Sequence, residues 1–307
     1  MPNTAPEKKR PAARLAPSLE DLAARAERLL ARLEALIPEV NAGPDWAAAA
    51  AFRWRKRFGH GVLEPLPNRP PITFTDLVNI DLQKRAILRN TRQFLAGLPA
   101  NNVLLTGARG TGKSSLIKAC LNQFARKGLR VIEVDRADLV DLADIVQLVL
   151  GRPERFIVFC DDLSFEDGDP GFKALKVALD GSMAGQAENV LIYATSNRRH
   201  LMPEQMRENL TYTHSEDGEI HPGEGVEEKI SLSERFGLWI SFYPFKQDEY
   251  LAIVAHWLGH FGCDARAVAA ARDEALRFAL ERGSRSGRVA WQFARDFAGR
   301  HRLRGAR

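Results

Sequence analysis

A glycine-rich turn between two apolar segments is the feature that most constrains this chain. Its sequence, GARGTGKS at residues 107–114, has glycine, lysine and serine at every fixed position of the pattern GxxxxGK[ST]. A short apolar run, residues 102–105, precedes the turn, and an amphipathic run begins at Leu116. This order predicts a strand, a loop and a helix.

The residue types in this loop suit a chain of phosphate groups. Glycine adopts backbone angles that other residues avoid, which brings backbone N–H groups close to an anion, and the positive end of the following helix points at the same place. A lysine offers a charge to the β and γ oxygens of ATP, and a serine hydroxyl offers a ligand for Mg²⁺. We therefore expect the whole loop to bind nucleotide, namely Gly107, Ala108, Arg109, Gly110, Thr111, Gly112, Lys113, Ser114 and Ser115.

Length and composition place the chain among ordinary globular proteins. Its 307 residues suggest two domains of roughly 150 residues each. The hydrophobic content of 45% and the charged content of 27% are compatible with a sizeable core. The net charge of +5 permits nucleic-acid contact but does not by itself argue for it.

The cysteines and the apolar runs indicate the cellular compartment of the protein. No apolar run approaches the roughly 20 residues of a membrane span, and the Met1 end lacks an apolar signal core. Cys120, Cys160 and Cys263 lie in apolar contexts rather than in spaced pairs, which is typical of buried thiols. We expect a cytoplasmic protein without a membrane partner.

Residues 1–71 are predicted to precede the main domain. Residues 1–17 lack an apolar period and are predicted to be a disordered tail, and residues 18–71 a helical segment with a linker. Helical spacing predicts one helix from Ser18 to Pro38 and a shorter one over residues 45–58. Proline and glycine predict the linker over residues 59–71.

A basic cluster, RWRKR, occupies residues 53–57 of the second predicted helix. One interpretation is a patch for nucleic acid or another acidic partner. The other, which we favour, is a solvated helix face with Trp54 packed inward.

Residues 72–245 are predicted to form the nucleotide-binding domain. Apolar strands at residues 129–134, 156–160, 190–194 and 238–242 join the strand before the loop, and helices alternate with them, one of them at residues 137–149. The continuous apolar run at residues 156–160 suits a strand that is buried on both faces. Alternation of this kind is typical of an α/β fold with a parallel sheet, here five-stranded, covered by helices. Residues 246–307 contain helical patterns alone, at 247–261, 265–282 and 287–300, and are predicted to be a helical lid.

A polar stretch at residues 209–231 interrupts this domain. It could be a mobile loop or a hairpin that turns at Asp217-Gly218. It is a candidate contact for a substrate or partner, and the alternative is a plain surface loop.

Carboxylates and an amide follow two of the predicted strands. Asp161 ends the strand 156–160 and could hold Mg²⁺ beside Ser114, while Asp162 could activate the attacking water, with Glu166 as its substitute. Asn197 follows the next strand and could contact the γ-phosphate or the water, with Thr195 and Ser196 as alternatives.

Two arginines are further candidates for the site. Arg235 precedes the last strand, and Arg288 opens the last predicted helix. A guanidinium can bind the γ-phosphate oxygens through two hydrogen bonds while charge spreads over them. For each arginine the alternative is a surface salt bridge.

The order of these motifs resembles the AAA+ ATPases, from a pre-nucleotide segment at residues 73–80 to Arg288. Residues 232–237 and 283–297 are similar to the Holliday-junction branch-migration helicases, and residues 99–102 and 231–239 resemble a bacterial family of AAA+ proteins (domain of unknown function 815). The resemblance implies a P-loop NTPase fold, an arginine finger at Arg235 that reaches a neighbouring subunit, and a sensor arginine at Arg288. It thus implies a homo-oligomer with head-to-tail interfaces. Two features depart from the AAA+ pattern. Asp162 stands at a position where Glu is usual, and the segment 209–229 is long.

Three functions remain open. The first is a Mg²⁺-dependent ATPase that moves a protein or nucleic-acid partner through oligomer contacts. The second is a slow nucleotide-controlled binding module or loader, possibly DNA-associated, which Asp162 and the low net charge favour slightly. The third, a small-molecule phosphotransferase, fits less well because the segment after Pro244 resembles a nucleotide-sensing lid.

Overall fold

The computed structural model describes residues 19–34, 44–57, 59–68, 70–165, 168–180, 187–197, 213–214, 220–221 and 232–305. The chain divides into two compact units, Met1–Ala42 and Gly43–Arg307. In the first unit, helix α1 (Leu19–Glu34) confirms the helix predicted from Ser18. The predicted tail and the predicted helix end at Pro38 lie outside the described residues.

The second unit is built on one mixed sheet. Its strands, with those of a separate pair, are β1 (Ala51–Arg57), β2 (His60–Pro65), β3 (Val103–Gly107), β4 (Leu129–Val134), β5 (Arg155–Cys160), β6 (Val190–Ser196), β7 (Thr213–His214), β8 (Ile220–His221) and β9 (Leu238–Phe242). Within the described chain, seven of them form the sheet, in the order β2-β1-β4-β5-β6-β3-β9. Neighbours are parallel except β1 and β2. The predicted α/β class is confirmed, and the five predicted parallel strands are contiguous, but the sheet has seven strands rather than five.

Helices cover both faces of this sheet. They are α2 (Asp81–Leu95), α3 (Lys113–Phe124), α4 (Leu142–Val149), α5 (Pro170–Asp180), α6 (Gln247–His260), α7 (Ala265–Ala270), α8 (Arg272–Glu281) and α9 (Gly287–Gly305), with short 3₁₀ helices at Phe74–Asp76, Ala125–Lys127 and Arg136–Asp141. Alternate residues of β5 belong to the two cores, with Ile157 in the core of α2, α3 and α6 and Val158 in that of α4 and α5. β5 is therefore buried on both faces, as its continuous apolar sequence predicted.

Two predicted helices differ from those observed. The helix expected over residues 137–149 begins as a 3₁₀ helix and becomes α-helical at Leu142. The helix expected over residues 265–282 is two helices, α7 and α8, which meet at Ala271. None of the described helices has the length and apolar character needed to cross a membrane.

The predicted helix over residues 45–58 and the predicted linker over residues 59–71 are wrong. Strand β1 pairs in parallel with β4, through Phe52 opposite Ile132, and antiparallel with β2. Phe52 and Trp54 alternate along the strand and are 0% and 3% exposed, so the period of two, not the helical period, describes their burial. The alternation in the sequence is short, because alanines precede it at residues 47–51 and Lys56 stands where an apolar residue would continue it.

The basic cluster on β1 is matched by acidic side chains. On one face of the strand, Arg53 bonds Glu133 at 2.6 Å and Arg55 bonds Asp135 at 2.7 Å, while Arg57 contacts Glu64. On the other face, Lys56 lies 2.9 Å from Asp141, whose second carboxylate oxygen accepts the Trp54 indole N–H. The inward packing of Trp54 is confirmed. The pairing with acids argues against a nucleic-acid patch here.

The hairpin interpretation of the polar stretch 209–231 is confirmed for its described part. β7 and β8 pair antiparallel, with Thr213 opposite His221 and His214 opposite Ile220. The expected turn at Asp217-Gly218 lies outside the described residues.

A buried polar network joins α2 to the strands that carry the candidate site. The Tyr193 hydroxyl, on β6, lies 3.1 Å from Asn90 Nδ2 and 3.0 Å from Thr91 Oγ1. Asn90 also bonds the backbone of Asn101, just before β3, through its oxygen and its nitrogen. Burial raises the pKa of Tyr193, so this hydroxyl stays protonated.

We expect Tyr193→Phe to lower stability by about 1 kcal/mol, because polar groups of Asn90 and Thr91 lose a buried partner. For a chain of this size the melting temperature should fall by about 3 °C. Tyr243→Phe is the matched control, since Tyr243 is 69% exposed. Calorimetric melting checks this, and equal melting temperatures for the two variants would contradict the role given to the network.

Candidate nucleotide-binding site

The loop between β3 and α3 has a backbone that glycine alone fits without strain. Gly107, Gly110 and Gly112 have φ angles of 126°, 73° and 103°. A Cβ at Gly107 would lie 1.9 Å from the Phe242 carbonyl oxygen, and one at Gly110 would lie 2.8 Å from Ser286 Oγ. The predicted strand, loop and helix are therefore present, and the glycines let β9 and α9 approach the loop closely.

Lys113 is buried inside this loop. Its Nζ donates to the carbonyl oxygens of Gly107 (2.7 Å) and Ala108 (2.8 Å) and to Asn197 Oδ1 (2.9 Å). Burial lowers the pKa of Lys113 to about 8, opposed by Asp162 and Asp161 and assisted by Arg109 and Arg288. The ammonium is thus held by loop carbonyls and surrounded by charges of both signs.

Asp161 and Ser114 meet as predicted. Asp161 Oδ1 accepts hydrogen bonds from Ser114 Oγ and from Thr195 Oγ1, each at 2.6 Å. Within the described part of the chain, His, Cys, Asp and Glu side chains form no group of three or more able to hold a metal ion. A hydroxyl and a carboxylate are nevertheless ligands that Mg²⁺ accepts, because this ion takes one or two protein oxygens and completes its shell with waters and phosphate oxygens. Ser114 and Asp161 therefore fit Mg²⁺.

Asp162 has an unusual backbone conformation for a residue other than glycine. Its φ angle is 53°, and its N–H donates to Thr195 Oγ1 at 2.9 Å. Its Oδ1 accepts from Asn197 Nδ2, and its Oδ2 lies 3.4 Å from Arg109 Nη2. The carboxylate therefore faces the loop, with a polar partner on each oxygen.

The polar residues that end β6 have separate places. Asn197 bridges Lys113 and Asp162, and its contact with the γ-phosphate or the attacking water stays a prediction. Ser196 is buried and donates to the Leu163 carbonyl at 2.8 Å, which indicates a structural role. Thr195, named from sequence only as an alternative, holds both acidic residues through one hydroxyl.

Of the remaining loop residues, Thr111 donates to the Ala108 carbonyl at 2.8 Å, and Ser115 follows in the first turn of α3. The C-terminal helical segment, predicted from the sequence to be a lid, reaches the loop through the start of α9. The Arg288 N–H lies 3.4 Å from the Gly110 carbonyl, so this arginine is brought to the site. The contact of Ser286 with Gly110 was missed, because nothing in the sequence relates positions so far apart.

The described contact of Arg235 does not lie at the loop. Its Nε lies 2.6 Å from Asp180 Oδ1, at the end of α5, and the two side chains are 24% and 48% exposed. Glu166, the substitute for Asp162, lies outside the described residues. The functional roles of both residues stay predictions.

The chemistry of the site suits a magnesium nucleotide. Two further cationic side chains, Arg109 and Arg288, and two carboxylates, Asp161 and Asp162, lie close enough to Lys113 to shift its pKa. The cations and the N-terminal end of α3 favour a phosphate chain, and the carboxylate beside Ser114 favours its metal ion.

A family model described as "Protein of unknown function (DUF815)" matches residues 47–301 of this chain. The chain belongs to this family. Its α/β class and the strand, loop and helix formed by β3, the glycine-rich loop and α3 are those that the sequence predicted. No curated protein sequence matches this DUF815 chain.

Solved structures are similar to this DUF815 chain at low identity. A variant of RuvB from Thermotoga maritima has 16% identity and a TM-score of 0.47, covering 73% of this chain and 63% of its own. The HORMA:CdnC:Trip13 complex from E. coli MS115-1 has 12% identity and a TM-score of 0.45, covering 72% and 89%. A DNA replication initiation factor has 16% identity and a TM-score of 0.43, covering 76% and 64%. The chain thus spans less than two thirds of the RuvB structure.

We expect Thr195→Val to weaken Mg²⁺-dependent nucleotide binding, because the hydroxyl that orients Asp161 and the Asp162 backbone is lost. Removing one such buried hydrogen bond costs about 1 kcal/mol, or roughly fivefold in affinity. Thr195→Ser keeps the hydroxyl and is the control. Calorimetric titration with ATP at fixed Mg²⁺ measures the difference, and equal affinities of the two variants would contradict it.

Proposed function

We propose that this protein is a Mg²⁺-dependent ATPase of the AAA+ type, whose hydrolysis drives a conformational change that acts on a protein or nucleic-acid partner. The observation that carries the proposal is the convergence of Lys113, Ser114, Asp161, Asp162 and Asn197. They lie just beyond the carboxyl ends of β3, β5 and β6, which are neighbours in the parallel part of the sheet. Such an edge is where open α/β sheets bind ligands.

Each side chain has a distinct task in this proposal. Lys113 binds the β and γ oxygens, and Ser114 and Asp161 hold Mg²⁺, which when bound neutralises charge on the phosphate oxygens. Asp162 accepts the proton of the attacking water. Asn197 holds that carboxylate and the Lys113 ammonium in position. The contact of α9 with Gly110 supports a route by which nucleotide state reaches the lid.

The second candidate function is a slow nucleotide-controlled binding module. It is favoured by the arrangement at Asp162, which is one methylene shorter than the usual Glu and has both carboxylate oxygens engaged, by Asn197 and by Arg109. Hydrolysis is slow when the carboxylate must break these contacts before it accepts a proton.

The cytoplasmic location predicted from the unpaired cysteines stays a prediction.

Two variants test the proposed ATPase. Lys113→Ala should abolish ATP binding, since the buried ammonium at the loop is lost, and Lys118→Ala, an exposed lysine of the same helix, should bind normally. Asp162→Asn should bind ATP but stop turnover, because Asp161 survives while the base is lost. Equilibrium titration and steady-state phosphate release measure the two steps.

Wild-type affinity in Lys113→Ala would contradict the site. Arrest by Glu166→Gln with normal turnover in Asp162→Asn would exchange the roles of these two acids. Slow turnover in the wild type with tight binding would favour the second function.

We also propose a homo-oligomer in which Arg235 reaches the site of a neighbouring subunit. The AAA+ type of fold supports this, together with the partial exposure of a guanidinium that is oriented by Asp180. A head-to-tail contact of this kind generates rings or filaments. An arginine supplied in trans raises the rate of related phosphoryl transfers by ~10³ or more.

Arg235→Ala should then bind ATP normally and hydrolyse it poorly, and wild-type turnover per subunit should rise with protein concentration. Mixing Lys113→Ala with Arg235→Ala subunits should restore part of the activity, because one supplies the arginine and the other the intact loop. Asp180→Asn is the matched control, since it breaks the same ion pair but keeps the arginine. Equal losses in Arg235→Ala and Asp180→Asn, with no rescue on mixing, would show that Arg235 is a structural ion-pair partner.

A further inference from the structure

Arg109 is a charged side chain in a loop whose other cation, Lys113, is buried. Its guanidinium is 76% exposed, and its Nη2 lies 3.4 Å from Asp162 Oδ2. Among the described residues, Arg109 makes no side-chain hydrogen bond other than this one. The side chain thus bridges the loop and the carboxyl end of β5 without a structural role in the core.

Asp162, the residue that Arg109 meets, is fixed at its backbone and at one carboxylate oxygen. Asp162 has a φ angle of 53°, its backbone N–H is bonded to Thr195, and its other oxygen accepts from Asn197. The fixed partner of the ion pair is therefore Asp162, and the movable partner is Arg109. A long, exposed side chain can change partners without any change in the fold.

The ion pair itself is easily exchanged. Asp162 is 53% exposed, so both charges stay in contact with water. Exposed ion pairs contribute little because water and salt compete with them. A phosphate group carries more charge than a carboxylate, and guanidinium binds it through two parallel hydrogen bonds. A terminal phosphate beside the loop would therefore displace Asp162 as the partner of Arg109.

We propose that Arg109 discriminates nucleoside triphosphates from diphosphates by exchanging its bond to Asp162 for one to the terminal phosphate. The exchange also frees Asp162 Oδ2 to face the attacking water. The carboxylate of Asp162 thus becomes available when the triphosphate is in place. This inference rests on the proposed nucleotide site, and it assigns Arg109 a function beyond that of a loop residue.

The test compares the dissociation constants of a non-hydrolysable ATP analogue and of ADP, both with Mg²⁺, by calorimetry on the full chain. Arg109→Ala should weaken the analogue about tenfold, the usual worth of a charge-assisted hydrogen bond, and leave ADP within twofold. Arg109→Lys should recover part of the difference. Arg126→Ala removes an exposed arginine beyond the far end of α3 and should change neither constant.

A second pair of variants tests the exchange. Asp162→Asn removes the charge that competes for Arg109, so it should tighten binding of the analogue a fewfold without affecting ADP. The same substitution in an Arg109→Ala background should have no such effect. Loss of both nucleotides in equal measure, or of neither, in Arg109→Ala would overturn the inference. Failure of the wild type to bind either nucleotide would instead overturn the proposed function, and this inference with it.

Discussion

The buried ammonium of Lys113 is the interaction on which the rest of the site depends. A buried cation is costly unless hydrogen-bond acceptors surround it. Here two acceptors are carbonyls of the loop and the third is Asn197 at the end of β6. This arrangement requires β3 and β6 to be parallel neighbours, with Leu105 opposite Thr195, so that both end at the same edge. It also requires Gly107, because no other residue could pass the Phe242 carbonyl.

The same edge brings the acidic residues to the lysine. Thr195, next to last in β6, holds Asp161 and the Asp162 backbone, and the two carboxylates oppose the loss of charge that burial imposes on Lys113. The lid adds Arg288 through the start of α9, at the loop carbonyl of Gly110. Lys113, the two aspartates and the predicted lid are thereby linked through a few short contacts. A change in what the loop binds can therefore reach α9 directly.

The local features of the fold could be predicted from the sequence, and those made by distant residues could not. The loop, the five contiguous parallel strands and Asp161 follow from apolar runs and short motifs. Strand β1 was predicted as a helix because its alternation spans only residues 52–55, between a run of alanines and Lys56, and the acidic partners of its arginines come from β2 and from the region of β4. The double role of Thr195 depends on the pairing of β5 with β6, which no local pattern expresses. Two stretches that carried the family resemblance turn out to contact each other, since a Cβ at Gly237 would lie 2.4 Å from Asn101 Oδ1.

The central claim is that the edge formed by β3, β5 and β6 binds a magnesium nucleotide. Calorimetric titration of the wild-type protein with ATP, in excess Mg²⁺ and again in excess chelator, tests it most directly. We expect saturable binding with one nucleotide per chain, and weaker binding in chelator because Ser114 and Asp161 act through the metal ion. Absence of binding heat and of competition with a fluorescent nucleotide, or binding that Mg²⁺ does not affect, would contradict it.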